Sequence, residues 1–285
     1  MVRHRLFALT FILSLAFSSS ALAQTLFEGY AKVLVGNVHV GYSIQKYEFD
    51  SKKKQFKATT FLKTNEVGGN ITESLLAVAD ENLNPISYKF TTLQGKTPKI
   101  IDAQFSKGRM NATVTDGGKK STIKLDVPQG AFLSSFLGYM MLRSPTGLKA
   151  DTRFEFQAIA EEDGSLEKGV ATISTREDFF GIPAFKVMND FKNVKFISHV
   201  SEKGEVFATR VPALSIVTEL TATAEEATKG LAVPTAVIKN LFGEVPRGTV
   251  NALSERSRNP VPGKTQGIPG GQGMQLKGGA PAAGE

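Results

Sequence analysis

Beyond its first 23 residues the sequence has two histidines, His39 and His199, and it has no cysteine anywhere. A Ser-His-Asp triad would need one of these histidines as its base, because a serine hydroxyl is a poor nucleophile until a neighbour takes its proton. His39 falls in a tight turn beside Asn37 and ahead of Gly41, and His199 closes a strand near Ser198 and Ser201. Both read as hairpin residues. Without thiolates there is no disulfide and no thiolate-bound zinc or iron–sulfur cluster, and two histidines do not supply a histidine-rich zinc site. No metal, no cofactor and no catalytic residue is assigned from the sequence.

Paired carboxylates are the other route to hydrolysis, because glycosidases set one as acid and one as base or nucleophile across the scissile bond. The clusters are Glu161-Glu162-Asp163, Glu177-Asp178 and Glu225-Glu226. Neighbouring strand residues point to opposite faces, so Glu177 and Asp178 do not form a pair with each other. The first cluster runs into Gly164 and reads as a solvated turn. Asp116-Gly117-Gly118-Lys119-Lys120-Ser121 fails as a phosphate loop: Thr113 stands where the first glycine belongs, and Lys120 where a hydroxyl residue should follow the lysine. It reads as a hairpin tip. Lys52-Lys53-Lys54 reads as a solvated turn, and Asn70-Ile71-Thr72 and Asn111-Ala112-Thr113 as idle glycosylation sequons.

The remaining candidate is apolar. Between Gln129 and Arg143, Phe132, Phe136 and Met140 recur every four positions, as do Leu133, Leu137 and Met141. That spacing gives one broad apolar face on a helix of about four turns. Such a face either belongs to the core or closes a cavity and touches an apolar ligand, a use that two adjacent methionines suit. These six residues are the candidate ligand-binding set.

A sheet must position them. From Leu26 to about Ala222 the dominant pattern is alternation: Phe154, Phe156 and Ala158 with Arg153, Glu155 and Gln157, and Ile123, Leu125 and Val127 with Thr122, Lys124 and Asp126. Turn residues such as Asn82-Leu83-Asn84-Pro85, Lys107-Gly108 and Lys203-Gly204 separate the runs. Short runs joined by tight polar turns predict an antiparallel meander of about twelve strands. The expected fold is therefore mostly β: a curved sheet, an open barrel or two packed sheets. The helix at 129–143 is its central break, and a short C-terminal helix follows at Thr223–Lys229. The helix at 129–143 also marks a point where the domain could be subdivided. Ten glycines and five prolines fall in Gly243–Glu285, a composition that predicts a disordered tail. The expected layout is a signal peptide at 1–23, a β-rich domain at 24–242 and the tail at 243–285.

The signal peptide rests on Arg3 and Arg5, an apolar run from Leu6 to Phe17, and Ala21-Leu22-Ala23 at its end. A charged start, a short apolar stretch and small residues at the cleavage point define a secretory leader cut after Ala23. The run is too short for a bilayer span, which takes about 20 residues, so no transmembrane segment is expected after cleavage. The expected compartment is the periplasm or the exterior. Without Arg3 and Arg5 the formal charge of +7 becomes +5, and five basic and three acidic residues lie beyond Phe242, which leaves +3 for the folded part. That is too mild to call for nucleic acid as a partner.

Gly36-Asn37-Val38-His39-Val40-Gly41-Tyr42, Val127-Pro128-Gln129-Gly130 and Phe196–Val206, closed by Thr223-Ala224-Glu225-Glu226-Ala227, resemble segments of envelope β-proteins of Gram-negative bacteria. They are also similar to the non-catalytic β-domain ahead of some secreted transglutaminase-like domains. The tryptophan frequent in the late strand is missing, and no cysteine–histidine module follows. The resemblance implies a fold and a compartment and no active site. The function expected is that of an exported non-enzymatic β-protein binding or scaffolding an envelope component, with an apolar ligand among the candidates. A carboxylate-dependent hydrolase of cell-wall glycan or peptide, and a purely structural partner-binding domain, are the alternatives.

Overall fold

The computed structural model describes residues 23–258. The signal peptide expected at 1–23 lies outside them except for Ala23, as does the expected tail from residue 259 onward. The chain enters at the middle of one 15-stranded sheet and runs to an edge in sequence order. These strands are β1 (Gln24–Val35), β2 (Val38–Asp50), β3 (Gln55–Thr64), β4 (Ile71–Asp80), β5 (Pro85–Gln94), β6 (Thr97–Ser106), β7 (Arg109–Asp116) and β8 (Lys119–Asp126). A crossing segment follows, made of β9 (Phe132–Leu133), a 3-10 turn at Ser134–Phe136 and α1 (Leu137–Arg143). It carries the chain to the far edge. From there β10 (Thr152–Ala160), β11 (Ser165–Phe179), β12 (Ile182–Phe191), β13 (Val194–Ser201), β14 (Val206–Val211) and β15 (Ile216–Leu220) march back to the middle. There β15 pairs with β1 from Ala31↔Leu220 to Val35↔Ile216.

Among the described residues only β9 and β10 are parallel; the other neighbours are antiparallel, as short turns require of consecutive strands and as β1 and β15 also are. The meander is the expected one, with eight strands before the crossing segment and six after β9. The expectation of about twelve strands falls short of the fifteen, in part because β9 lies inside the stretch whose spacing reads as helix. Twist accumulates across so many strands, and bulges such as those at Val78/Ala79 and Ile173/Arg176 add bend. The sheet therefore curls without closing. Its β8 edge is exposed and carries Lys119, Lys120 and Lys124, a charge pattern that discourages edge-to-edge pairing.

A row rich in alanine crosses the concave face. Ala58, Ala77, Tyr88, Ala103, Ala112 and Ile123 are successive partners from β3 to β8, and the alanines are buried. Low side chains let a second layer approach closely, and the crossing segment is that layer. Phe132, Leu133, Phe136 and Met141 pack between Leu75, Phe90, Ile101 and Met110 of the first half and Phe156, Ile173, Phe185 and Val200 of the second. On the convex face α2 (Ala224–Thr228) and α3 (Thr235–Phe242) cover Tyr30, Tyr42, Ile44 and Phe61. The Thr223 side chain accepts from Glu226 N at 3.2 Å and caps α2. Among the described residues no helix is long and apolar enough to cross a membrane.

Two boundaries differ from expectation. The apolar period of 129–143 predicts four helical turns, yet Phe132 and Leu133 are extended and pair with Ala158 and Ile159, and helix begins only after them. The ladder to β10 outcompetes local helix at that end. The tail expected from Gly243 is docked as far as Arg258. Glu28 accepts hydrogen bonds from Arg247 N and Gly248 N, both at 2.8 Å, and the Glu28 carbonyl accepts one from Asn251 Nδ2 at 2.9 Å. Asn251 Oδ1 accepts from Ser254 N at 2.9 Å and caps α4 (Ala252–Arg258), whose Leu253 packs on Phe27, Phe207 and Leu220. Glycine and proline averaged over the whole segment hide this short amphipathic stretch.

Candidate functional site

The six candidate ligand residues sit in or against the core. Phe132, Leu133, Phe136 and Met141 are fully buried, while Leu137 and Met140 are half-buried. Phe136 meets Tyr47 and Phe56 edge-on, with ring centroids 6.2 and 6.5 Å apart. The Tyr47 hydroxyl donates to the Ser135 carbonyl at 2.9 Å. Gly138 lies so near the β13–β14 turn that a Cβ there would be 2.7 Å from the Gly204 carbonyl oxygen. Only a glycine lets α1 dock this closely.

A buried carboxylate holds the crossing segment in place. Glu161, read from sequence as a solvated turn residue, is 3% exposed. Its Oε2 accepts from Ser134 Oγ at 2.5 Å, and its Oε1 accepts from Ser135 N at 3.1 Å. Burial pushes its pKa up, and the Ser134 and Ser135 hydrogen bonds pull against that rise. A raised carboxyl is what general acid catalysis asks for. Here both oxygens are occupied by groups that start the 3-10 turn, so the arrangement pins the crossing segment to the β10–β11 turn. Lys192 clamps the next two residues, at 2.6 Å from Glu162 and 2.5 Å from Asp163, while Lys99 of β6 donates to the Glu162 carbonyl at 3.0 Å. The turn thus ties the two halves together. Asp163 was missed as a clamp because its partners lie far away in sequence.

The histidines divide. His39 Nε2 bonds back to the Gly41 carbonyl at 2.9 Å within its hairpin. His199 Nε2 lies 3.3 Å from Glu177 on the convex face, with Phe179 stacked at 5.0 Å. Glu177 also accepts from Thr175 Oγ1 at 3.0 Å, and that bond, ahead of His199 and Lys186, holds its carboxyl below the usual range. This pair brings together two residues that the sequence did not connect. Among the described residues no hydroxyl hydrogen-bonds to the imidazole, and no group of three histidine or carboxylate residues could hold a metal. Glu226 forms an ion pair with Lys32 at 2.8 Å.

The shifted carboxyls imply a pH profile. Burial is the first cause of raised carboxyls at Glu73, Glu161, Glu205 and Glu219. Asp50 is lowered, chiefly by the Lys53 N–H, and at Asp163 the Lys192 and Ser165 bonds outweigh burial. A raised carboxyl costs stability while ionised, and that cost is relieved as pH falls towards the ordinary glutamate value of 4.5. A lowered one contributes stability that is lost only as pH drops below its ordinary value, 3.8 for aspartate. Thermal melts should therefore be at least as high near pH 5 as near pH 7 and should fall below roughly pH 4. A steady decline from pH 7 to 5 would contradict the raised group of four.

An open groove of about 570 Å³ runs under Gln129 and Gly130 over Arg153, Glu155, Lys168 and Asp190, and a crevice of about 30 Å³ lies between Phe27, Gln45, Phe207 and Leu220. The crevice has room for about one water. Neither is lined by the six candidate residues.

Alternate turns of a meander share an end, so the β3–β4, β1–β2, β14–β15 and β12–β13 turns stand in a row at one end of the sheet. They carry Val67, Val35 with Val38, Leu214, and Val194, each between 37% and 69% exposed. Gly36 N donates to the Ser215 carbonyl at 2.7 Å, and Asn65 N to the Val40 carbonyl at 2.7 Å, which joins the first three turns. The sequence signal was there to see: valine beside Gly36-Asn37 and before Gly68, at tips where polar residues are the rule.

A family model described as "Protein of unknown function (DUF3108)" matches residues 29–205, from β1 to the β13–β14 turn. No curated protein matches the sequence. Among solved structures, a β-barrel-like protein of domain of unknown function DUF1849 from Brucella abortus is similar, with a TM-score of 0.49, 9% identity and coverage of 70% of this chain and 97% of that one. A DUF1089 family protein from Pseudomonas aeruginosa gives a TM-score of 0.35 and 14% identity, covering 60% and 90%.

Proposed function

We propose a function for a chain that belongs to the DUF3108 family: it is an exported, non-catalytic β-protein of the cell envelope. It binds or scaffolds an envelope component through the apolar turns at one end of its sheet. The observation that carries this reading is the row of exposed aliphatic residues, Val67, Val35, Val38, Leu214 and Val194, on four consecutive turns. Exposed aliphatic side chains gathered on neighbouring turns at one end of a sheet, where polar turn residues are the rule, favour a contact surface. The interior offers less: the crossing segment fills it, and its buried carboxylate serves as a pin.

Export is part of the same reading. Arg3, Arg5 and the run ending in Ala21-Leu22-Ala23 support it, and β1 begins at Gln24, the first residue after the expected cut. The resemblance to β-domains that precede secreted transglutaminase-like domains also belongs here, since such a domain presents neighbours without reacting.

A photo-reactive residue placed at Val38 or Leu214, in cells that export the protein, should label an envelope component. The same residue at Lys53, in the β2–β3 turn at the opposite end, should not. Equal labelling from both ends, or none from the apolar turns, would remove the basis of the reading.

A further inference from the structure

We infer that the component met by these turns is a negatively charged lipid surface, an inference that rests on the binding reading above. Three features of the turns argue for lipid. The exposed side chains are aliphatic and stand singly on separate tips: Val67 on one, Val35 and Val38 on the next, then Leu214 and Val194. Protein–protein hot spots are dominated by tryptophan, tyrosine and arginine, and no aromatic residue occurs in the turn sequences 35–38, 65–70, 192–195 and 212–215. Aliphatic tips suit the boundary between headgroups and acyl chains, where apolar residues bury to a depth of about 5–10 Å.

Charge supplies the second feature. Beyond the apolar tips the β5–β6 and β7–β8 turns present Lys96, Lys119 and Lys120, and Lys195 adjoins Val194; all four are exposed. The exposed acidic residues of this end are Glu66, Asp116, Asp190 (the cross-strand partner of Lys195), Glu162 and Asp163. The last two are held by Lys192 at 2.6 and 2.5 Å. An apolar centre flanked by lysines is the pattern by which proteins settle on anionic membranes, the lysines adding attraction within a Debye length of the surface.

The third feature is rigidity. The tips are closed hairpins on one hydrogen-bonded sheet, and Gly36 to Ser215 and Asn65 to Val40 contacts link neighbours. Several tips therefore reach a plane together, and weak insertions act jointly without each being ordered separately.

The test uses the mature chain and sedimentation with vesicles. Phosphatidylcholine vesicles carrying one third phosphatidylglycerol should pull the protein down, and pure phosphatidylcholine should do so far less. The double variant V38D/L214D should lose binding by at least about tenfold while melting as the parent does, since both side chains are exposed. The K119E/K120E variant should bind more weakly at low salt and converge on the parent at high salt. No sedimentation with the anionic vesicles, or sedimentation that survives V38D/L214D, would overturn the inference. If vesicles fail while the photo-reactive residues at Val38 and Leu214 still label a protein, the lipid inference falls and the binding reading stands. If both fail, both fall.

Discussion

A chain ending at Phe242 is expected to melt about 10 °C below the full-length mature chain, on the scale of roughly 2–4 °C per kcal/mol for a domain of this size. The truncation takes away Leu253, whose burial against Phe27, Phe207 and Leu220 contributes about 2 kcal/mol. It also strips Glu28 of two backbone donors, Arg247 N and Gly248 N. Each of these hydrogen bonds contributes about 0.5–1.5 kcal/mol net, and water takes the place of both donors once the segment that covers Glu28 is gone. A chain ending at Arg258 keeps every one of these contacts and should melt with the full chain. Calorimetry of the two truncations side by side checks the claim; equal melting temperatures would mean that the docked segment adds nothing.

Phe136→Ala is expected to cost about 3–5 kcal/mol, the range for removing a fully buried aromatic ring and leaving a cavity. Phe136 is fully buried, with Tyr47 and Phe56 edge-on to its ring. Met140→Ala should cost well under that, because Met140 is only half-buried. Denaturant titration of the two variants gives the order directly. Were the face a ligand lining, Phe136→Ala would leave most of the stability and weaken uptake of an apolar probe, and the order would reverse.

Much of the fold could be read from local pattern. Alternation in stretches such as Phe154–Ala158 and Ile123–Val127 announces strands, and the turn residues between them announce antiparallel neighbours. The partnership of β1 with β15 was not legible, because nothing local distinguishes Ala31–Val35 as the partner of residues about 190 positions later. The period of Phe132–Met141 located an apolar stretch, although Phe132 and Leu133 pair with β10 and are not helical, and period alone does not separate a core face from a ligand lining. The row Ala58, Ala77, Tyr88, Ala103 and Ala112 on β3 to β7, against which the segment packs, becomes visible only when the strands are in register. Glu161 was misread for a related reason. An acidic turn triplet is solvated unless something packs on it, and here Ser134 and Ser135 arrive from a different element. The apolar turns were overlooked because single valines beside glycine look ordinary until four turns line up at one end.

The proposed function turns on the crossing segment being structural core, which leaves the proposed contact to the turns. Hydrogen exchange of the mature protein, read by mass spectrometry across Leu133–Arg143, tests this most directly. The amides of that segment should exchange as slowly as those of β3 and β4, only through global unfolding, and an excess of fatty acid or phospholipid monomer should leave the rate unchanged. Fast exchange there, slowed by the added apolar ligand, would show a lid over a binding cavity and contradict the account.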